Sequence, residues 1–309
     1  MRAIQTVERS NEDFIQSASI TAMMRAVLNT KENLKNPDYL AKHFVDEAWR
    51  PFLQSPDLSI ENLEKRLPGG VYYILIRTKY FDNSLLKWIK NNPDSQVVML
   101  GAGFDTRALR FTHLSENIDY YEVDLKAMLE YKQDIISSKS LNSKHSENIN
   151  YIPTNFQTDD LFENLCLQGF DKNKPTYFLC EGITFFLAEN TINEMFSNIA
   201  QLTSGNVMVA FDYAFADYIK GDHNYYGAKE TFNELQAINE PHVFGINYED
   251  IEDYFRSKGF HSLNNYTASM LDTHYIANKY GDYQPEKSTS FFGLTELKLA
   301  NNHEDRAYE

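Results

Sequence analysis

From residue 97 onward the chain alternates short apolar runs with helix-compatible segments, and this alternation restricts its fold more than any other feature of its 309 residues. The runs are VVML at 97–100, DYYEV at 119–123, NYI at 150–152, TYFLC at 176–180 and VMVAF at 207–211. Each is bounded by Gly, Asp or Asn and is too short for a helix, so they read as buried parallel strands. Between them, 125–137, 160–168 and 191–202 suit helices. Strand and helix in regular succession specify an α/β, doubly wound sheet, because right-handed crossovers lay helices on both faces. HSLNNYT at 261–267 and SFFGLTELKLA at 290–300 alternate apolar and polar residues and read as antiparallel edge strands. They bring the mostly parallel sheet to seven strands.

The first 70 residues have a different character. Residues 13–50 predict two amphipathic helices interrupted at Asn36-Pro37, and breaks at 54–56 and 67–70 frame a third helical piece. A longer helix follows from Val71 and stops at Asn91-Asn92-Pro93. After Tyr213 the chain reads as irregular to about Pro241, then helical around 248–258. The expected organisation is a helical N-terminal cover (1–70), a core (71–300) and a disordered tail (301–309).

Composition removes several function classes. With 42% apolar and 24% charged residues the chain is an ordinary globular one, and 29 basic against 44 acidic residues give −15, which disfavours a nucleic-acid partner. No apolar run approaches the ~20 residues of a membrane span, and MRAIQTVERSNEDF lacks a signal-peptide core, so no membrane partner and a cytoplasmic location are expected. Cys166 and Cys180 fit no ligand or disulfide spacing, and the eight histidines form no H-E-x-x-H, so no metal site is expected. Oligomeric state leaves no readable mark.

The informative stretch is VVMLGAGFDTRALRF at 97–111, an apolar strand running into Gly101-Ala102-Gly103 with a helix expected after it. Glycines there let backbone N–H groups approach a ligand, and a helix N-terminus favours an anionic or electron-rich group. A dinucleotide fingerprint needs a third glycine where this chain has Thr106. The second strand closes on Asp124, whose carboxylate suits the two hydroxyls of a ribose. Gly-x-Gly with an acid ending the next strand is the pattern expected for S-adenosyl-L-methionine. A nicotinamide-dependent oxidoreductase fits less well, since the third glycine and a Tyr-x-x-x-Lys signature are missing.

LGAGFDTRALR, YEVDLKAMLEYK, PTYFLCEGITFFL and NEPHVFGIN, in this order and together with RTKYFD, resemble the leucine carboxyl methyltransferase family and its bacterial small-molecule branch. The resemblance implies a Rossmann-like class I methyltransferase core, S-adenosyl-L-methionine as cofactor, and a helical cover over the donor pocket. It sets Gly101 and Gly103 beside the donor's methionine moiety, Asp124 on the ribose, Arg77 and Arg25 near the donor's carboxylate, and Glu181 near the transferring methyl. Asn155-Phe156 stands where relatives carry Asp-Leu beside the adenine. Each position also has a structural reading: a tight turn for the glycines, a helix cap for Asp124, an ion pair for Arg77 or Arg25, a strand-end acid for Glu181. Asp105 and Arg107 are expected to brace the loop, and Cys180 to fill core.

A carboxylate acceptor is already ionised at neutral pH, whereas a phenol or alcohol needs a base. The chain shows no histidine in a base motif, so a methyl ester on a small-molecule or peptide carboxylate is expected first. Hydroxyl methylation in secondary metabolism, with Tyr213, another tyrosine or His223 assisting, is the alternative, and a silent donor-binding protein a further one. Phe185, Phe186, Tyr213, Phe215, Tyr225 and Tyr226 are candidates to line the acceptor pocket.

Overall fold

The protein is described by a computed structural model covering residues 11–31, 34–276 and 287–300; the proposed tail at 301–309 lies outside the described residues. Seven strands form one sheet: β1 (Gln96–Leu100), β2 (Asp119–Asp124), β3 (Ile149–Pro153), β4 (Thr176–Cys180), β5 (Val207–Ala214), β6 (Phe260–Thr267) and β7 (Phe292–Leu299). Their spatial order is β3-β2-β1-β4-β5-β7-β6. The first five are mutually parallel, and β7 runs antiparallel to both β5 and β6.

All five apolar runs are strands, and every residue of β1 and β4 is buried, as expected for central strands covered on both faces. The two C-terminal runs form the antiparallel edge of the sheet as expected, with β7 against β5 and β6 outermost; Leu294 and Leu297 of β7 are fully buried, while β6 is only partly so.

The helices are α1 (Asn11–Asn29), α2 (Pro56–Arg66), α3 (Gly70–Asn91), α4 (Arg107–Phe111), α5 (Lys126–Ser138), α6 (Leu161–Leu167), α7 (Glu189–Leu202), α8 (Ala216–Ile219), α9 (Ala228–Ala237), α10 (Ile251–Arg256) and α11 (Ala268–Tyr275). In α7 the residues Ile192, Met195, Phe196 and Ile199 follow the 3.6-residue period and are buried, each contributing about 1.5–3 kcal/mol relative to exposure.

Two segments depart from the sequence reading. The second helix expected before residue 50 is replaced by 3₁₀ turns at Ala41–Phe44 and Arg50–Leu53. Asn36 Oδ1 accepts the N–H of Asp38, and Asp38 Oδ1 accepts those of Leu40 and Ala41, so side chains take the backbone donors that a helix would use. The stretch from Tyr213 to Pro241 is less irregular than expected, since it holds α8 and α9. The apolar stripe of α9, Ala228, Phe232 and Leu235, is short, and only Ala228 of it is fully buried.

Candidate active site

The parallel strands bring the carboxyl ends of β1, β2, β3 and β4 to one edge, the usual position of a site in an open α/β sheet. Gly101 and Gly103 sit there with φ of +69° and +41°, conformations that side-chain-bearing residues rarely adopt. A Cβ on Gly101 would also stand 2.7 Å from Ile183 Cγ2, so the loop presses against the segment after β4.

The loop's N–H groups do not face outward, contrary to the sequence reading. Gly101 and Ala102 both donate to the Val123 carbonyl (2.8 and 3.0 Å), and Gly103 donates to Asp124 Oδ2 (2.7 Å). Nor does α4 offer a free N-terminus: Asp105 Oδ1 accepts the Arg107 N–H, and the helix ends after five residues. The glycines therefore supply backbone shape and close approach.

Asp124 accepts from Gly103 through one oxygen and from Leu125 N–H through the other (2.7 Å each). Burial raises its carboxyl above the usual range, against these two hydrogen bonds. Each oxygen keeps a further lone pair. The Thr154 N–H donates to the Asp124 carbonyl (2.9 Å), which sets Asn155 and half-buried Phe156 just beyond β3. Asn155 Oδ1 accepts the Gln157 N–H, so part of its acceptor capacity serves the turn.

Glu181 follows β4 and lies between two arginines, with Oε1 at 3.0 Å from Arg77 Nε and Oε2 at 2.6 Å from Arg107 Nη1. Burial pushes its carboxyl up, but Arg107 and Arg77 outweigh this and hold it below the usual range. Arg77 also donates from Nη1 to Asp212 Oδ2 (3.0 Å). Its Nη2 makes no hydrogen bond among the described residues. Arg25 reaches from α1 to the Phe104 carbonyl (2.9 Å) and pairs with Asp38 at 3.4 Å. It thereby ties the N-terminal cover to the glycine loop.

These contacts belong to a buried ionic cluster that sequence reading saw only in part. Arg107, with no exposed surface, binds Asp82, Asp105 and Glu181; Arg110 binds Asp82 through two nitrogens; Lys132 pairs with Glu122 at 2.6 Å. Burial raises the Asp105 carboxyl, yet Arg107 and Arg25 bring it down to about 2.

Asp212 was missed altogether. It is fully buried, accepts from Tyr73 Oη (2.6 Å), Arg77 and the Gly182 N–H (2.7 Å), and its carbonyl accepts the Thr184 hydroxyl. A lone acid interrupting the apolar run VMVAFDYA was the available signal.

Tyr213 is not brought to this group. Successive strand residues face opposite ways, so next to Asp212 it leaves on the other side of the sheet. Its hydroxyl donates to Asn265 Oδ1 of β6 (2.7 Å), and its ring covers Gly293 of β7. Among the described residues no cluster of three or more His, Cys, Asp or Glu could hold a metal, and no helix is long and apolar enough to cross a membrane.

The strand order and the site at the carboxyl ends define the methyltransferase class of α/β proteins. A crystal structure from Thermobifida fusca, titled provisionally as a methyltransferase, has the same fold (TM-score 0.58, 11% identity, 91% of this chain and 94% of that one). So has a DUF574-family protein from Streptomyces avermitilis (TM-score 0.57, 10% identity, 91% and 97%). The leucine carboxyl methyltransferase model matches residues 18–200, and the chain belongs to that family. Relatives include proteins from Streptomyces coelicolor (28% identity; 63% of this chain, 64% of the relative) and Bacillus subtilis (27%; 53% of each). Another is from Mycobacteroides abscessus (30%; 65% of each). The names of all three assign them provisionally to the S-adenosyl-L-methionine-dependent methyltransferases. The matches with these relatives span between half and two thirds of the relatives' own length.

Proposed function

We propose that the chain binds S-adenosyl-L-methionine and transfers its methyl group to an oxygen of a small molecule in the cytosol. The observation that carries this reading is the meeting of Gly101, Gly103, Asp124, Arg77 and Glu181 at one sheet edge. The cofactor supplies an electrophilic methyl on a sulfonium sulfur, so the protein's work is positioning and exclusion of water.

The residues suit that ligand. Asp124 has a lone pair on each oxygen for the ribose hydroxyls, and Arg77 has Nη2 for the methionine carboxylate. Glu181, kept ionised by its two arginines, can accept from the amino group. Asn155 and Phe156 offer an amide and an aromatic face to the adenine.

The acceptor expectation shifts. A carboxylate leaving water needs a cation; Arg25, Arg107, Arg110 and Lys132 are already paired with protein acids, and the remaining Nη2 of Arg77 is taken up by the donor's own carboxylate. This supports a hydroxyl acceptor first; the family's name supports a methyl ester as the second reading.

The test is calorimetric titration with S-adenosylmethionine, S-adenosylhomocysteine and NAD, followed by a methylation panel of phenols, alcohols and carboxylic acids. Binding of the adenosyl ligands alone, with turnover of hydroxyls, is expected. Binding without any turnover would mark a silent donor-binding protein, and NAD binding alone would sink the reading.

A further inference from the structure

Beside the ionic cluster lies an aromatic box that holds two buried imidazole nitrogens without partners. The His242 ring packs against Phe185 (4.4 Å between centroids), Phe186 (5.0 Å), Phe292 (5.7 Å) and Tyr218 (5.8 Å). Although His242 keeps some surface as a residue, its Nδ1 is sealed from solvent and makes no hydrogen bond. His223 also packs near Tyr218 (6.4 Å between centroids), and its Nε2 is likewise sealed and unpaired. The buried Tyr218 donates to no described group either.

Leaving such groups unpaired is costly in a folded protein, and two orphaned imidazole nitrogens near one phenol call for a ligand or a water. Between Tyr218, Phe232 and His242 there is a cavity of about 10 Å³, room for one water at most. Its roof is α9, in which Ala228 is fully buried, Leu235 is half-buried and Phe232 packs on the His223 ring at 4.8 Å, and which Arg66 and Glu234 tie at the surface, so few contacts hold it down. Phe232, and Ile238 just after the helix, are partly exposed.

The box adjoins the candidate active site. Phe185 follows Glu181 by four residues, and the intervening Gly182 and Thr184 are held by Asp212, which also holds Arg77. On the other side Tyr73, bonded to Asp212, stacks on Phe292 at 4.4 Å.

We propose that this box is the acceptor site, and that it takes an aromatic compound bearing a neutral hydroxyl, received by His242 Nδ1 under α9. This rests on the methyltransferase reading. No Lys or Arg lines the box, so a carboxylate would be buried there without compensation. A hydroxyl both donates and accepts, and so satisfies either tautomer of a neutral imidazole. Burial keeps His242 neutral, with its pKa pushed down to about 3.

The experiment is calorimetric titration with 1-naphthol and 1-naphthoate, which share a body and differ in the polar group, on the protein with and without saturating S-adenosylhomocysteine. Naphthol should bind and naphthoate should not. His242→Leu should weaken naphthol about tenfold or more while leaving S-adenosylhomocysteine affinity unchanged. Tyr218→Phe, which removes one oxygen only, serves as the second variant and should weaken naphthol severalfold. The proposal is overturned by equal or tighter binding of naphthoate, by naphthol affinity unchanged in both variants, or by no naphthol binding, which would leave the box to a water. Failure of S-adenosylhomocysteine to bind is read separately and counts against the donor site.

Discussion

Asp212 shows how one buried acid can organise a site without facing its ligand. Two of its hydrogen-bond donors, Tyr73 and Arg77, come from α3 and a third from the turn after β4, so it fixes where Arg77 can present Nη2. Asp212→Asn should lower S-adenosylhomocysteine affinity about tenfold, or ~1.4 kcal/mol, with little change for 5′-methylthioadenosine, which lacks the amino acid moiety. Equal losses for both ligands would make Asp212 a general brace. Asp124→Ala should weaken both ligands by roughly 1–3 kcal/mol, since both carry the ribose. Glu64 gives a residue-scale pH effect. Burial raises its carboxyl to about 7, against hydrogen bonds from Gly69 and Val71. The unfolded chain releases this proton near pH 4.5, so Glu64's contribution to stability is full below that pH and is lost as pH rises towards 7. Glu64→Gln should flatten the decline of melting temperature over that window. At this scale the sequence was legible where a motif fixes spacing, as for Gly101, Gly103 and Asp124. It was silent where partners lie far apart along the chain: Arg77 was named from its motif, but its tie through Asp212 to Tyr73 was not.

Among the elements, strands were easier to foresee than helices. Full burial on both faces writes an apolar run into β1 and β4, whereas α9 writes only a three-residue stripe, Ala228, Phe232 and Leu235, among polar residues. The 3₁₀ turns after α1 were hidden for a different reason, since Asn36 and Asp38 capture backbone donors inside a helix-like apolar pattern. The antiparallel edge was legible in the alternation of HSLNNYT and SFFGLTELKLA, but the order of the two strands was not, because both patterns fit either place. The β5–β7 pairing makes a sharp prediction. Gly293 lies opposite Tyr213, and a Cβ on it would come within 2.2 Å of the ring. Gly293→Ala should destabilise the protein by about 1–3 kcal/mol in denaturant unfolding, and Tyr213→Leu should recover part of that loss in the double variant. Additive losses would show that the ring does not cause the strain.

Over the whole molecule, stability is unevenly distributed. The ionic cluster joins α1, α3, α4 and the segment after β4 through Arg25, Arg77 and Arg107, while α9 is attached mainly at the surface. Hydrogen exchange should therefore be slowest in β1, β4 and β5 and faster by orders of magnitude in α9. Matching rates would contradict a roof that lifts on its own. The late position of β7 in the chain has a consequence for biosynthesis. Until the ribosome has released residues 292–299, the outer edge of β5 has no strand beside it, and Tyr213 has no Gly293 to cover. A nascent chain at that stage presents a bare apolar edge, a template for pairing with another chain. The crowded interval before the last strand emerges, rather than any weakness of the finished protein, is where chaperones would be needed.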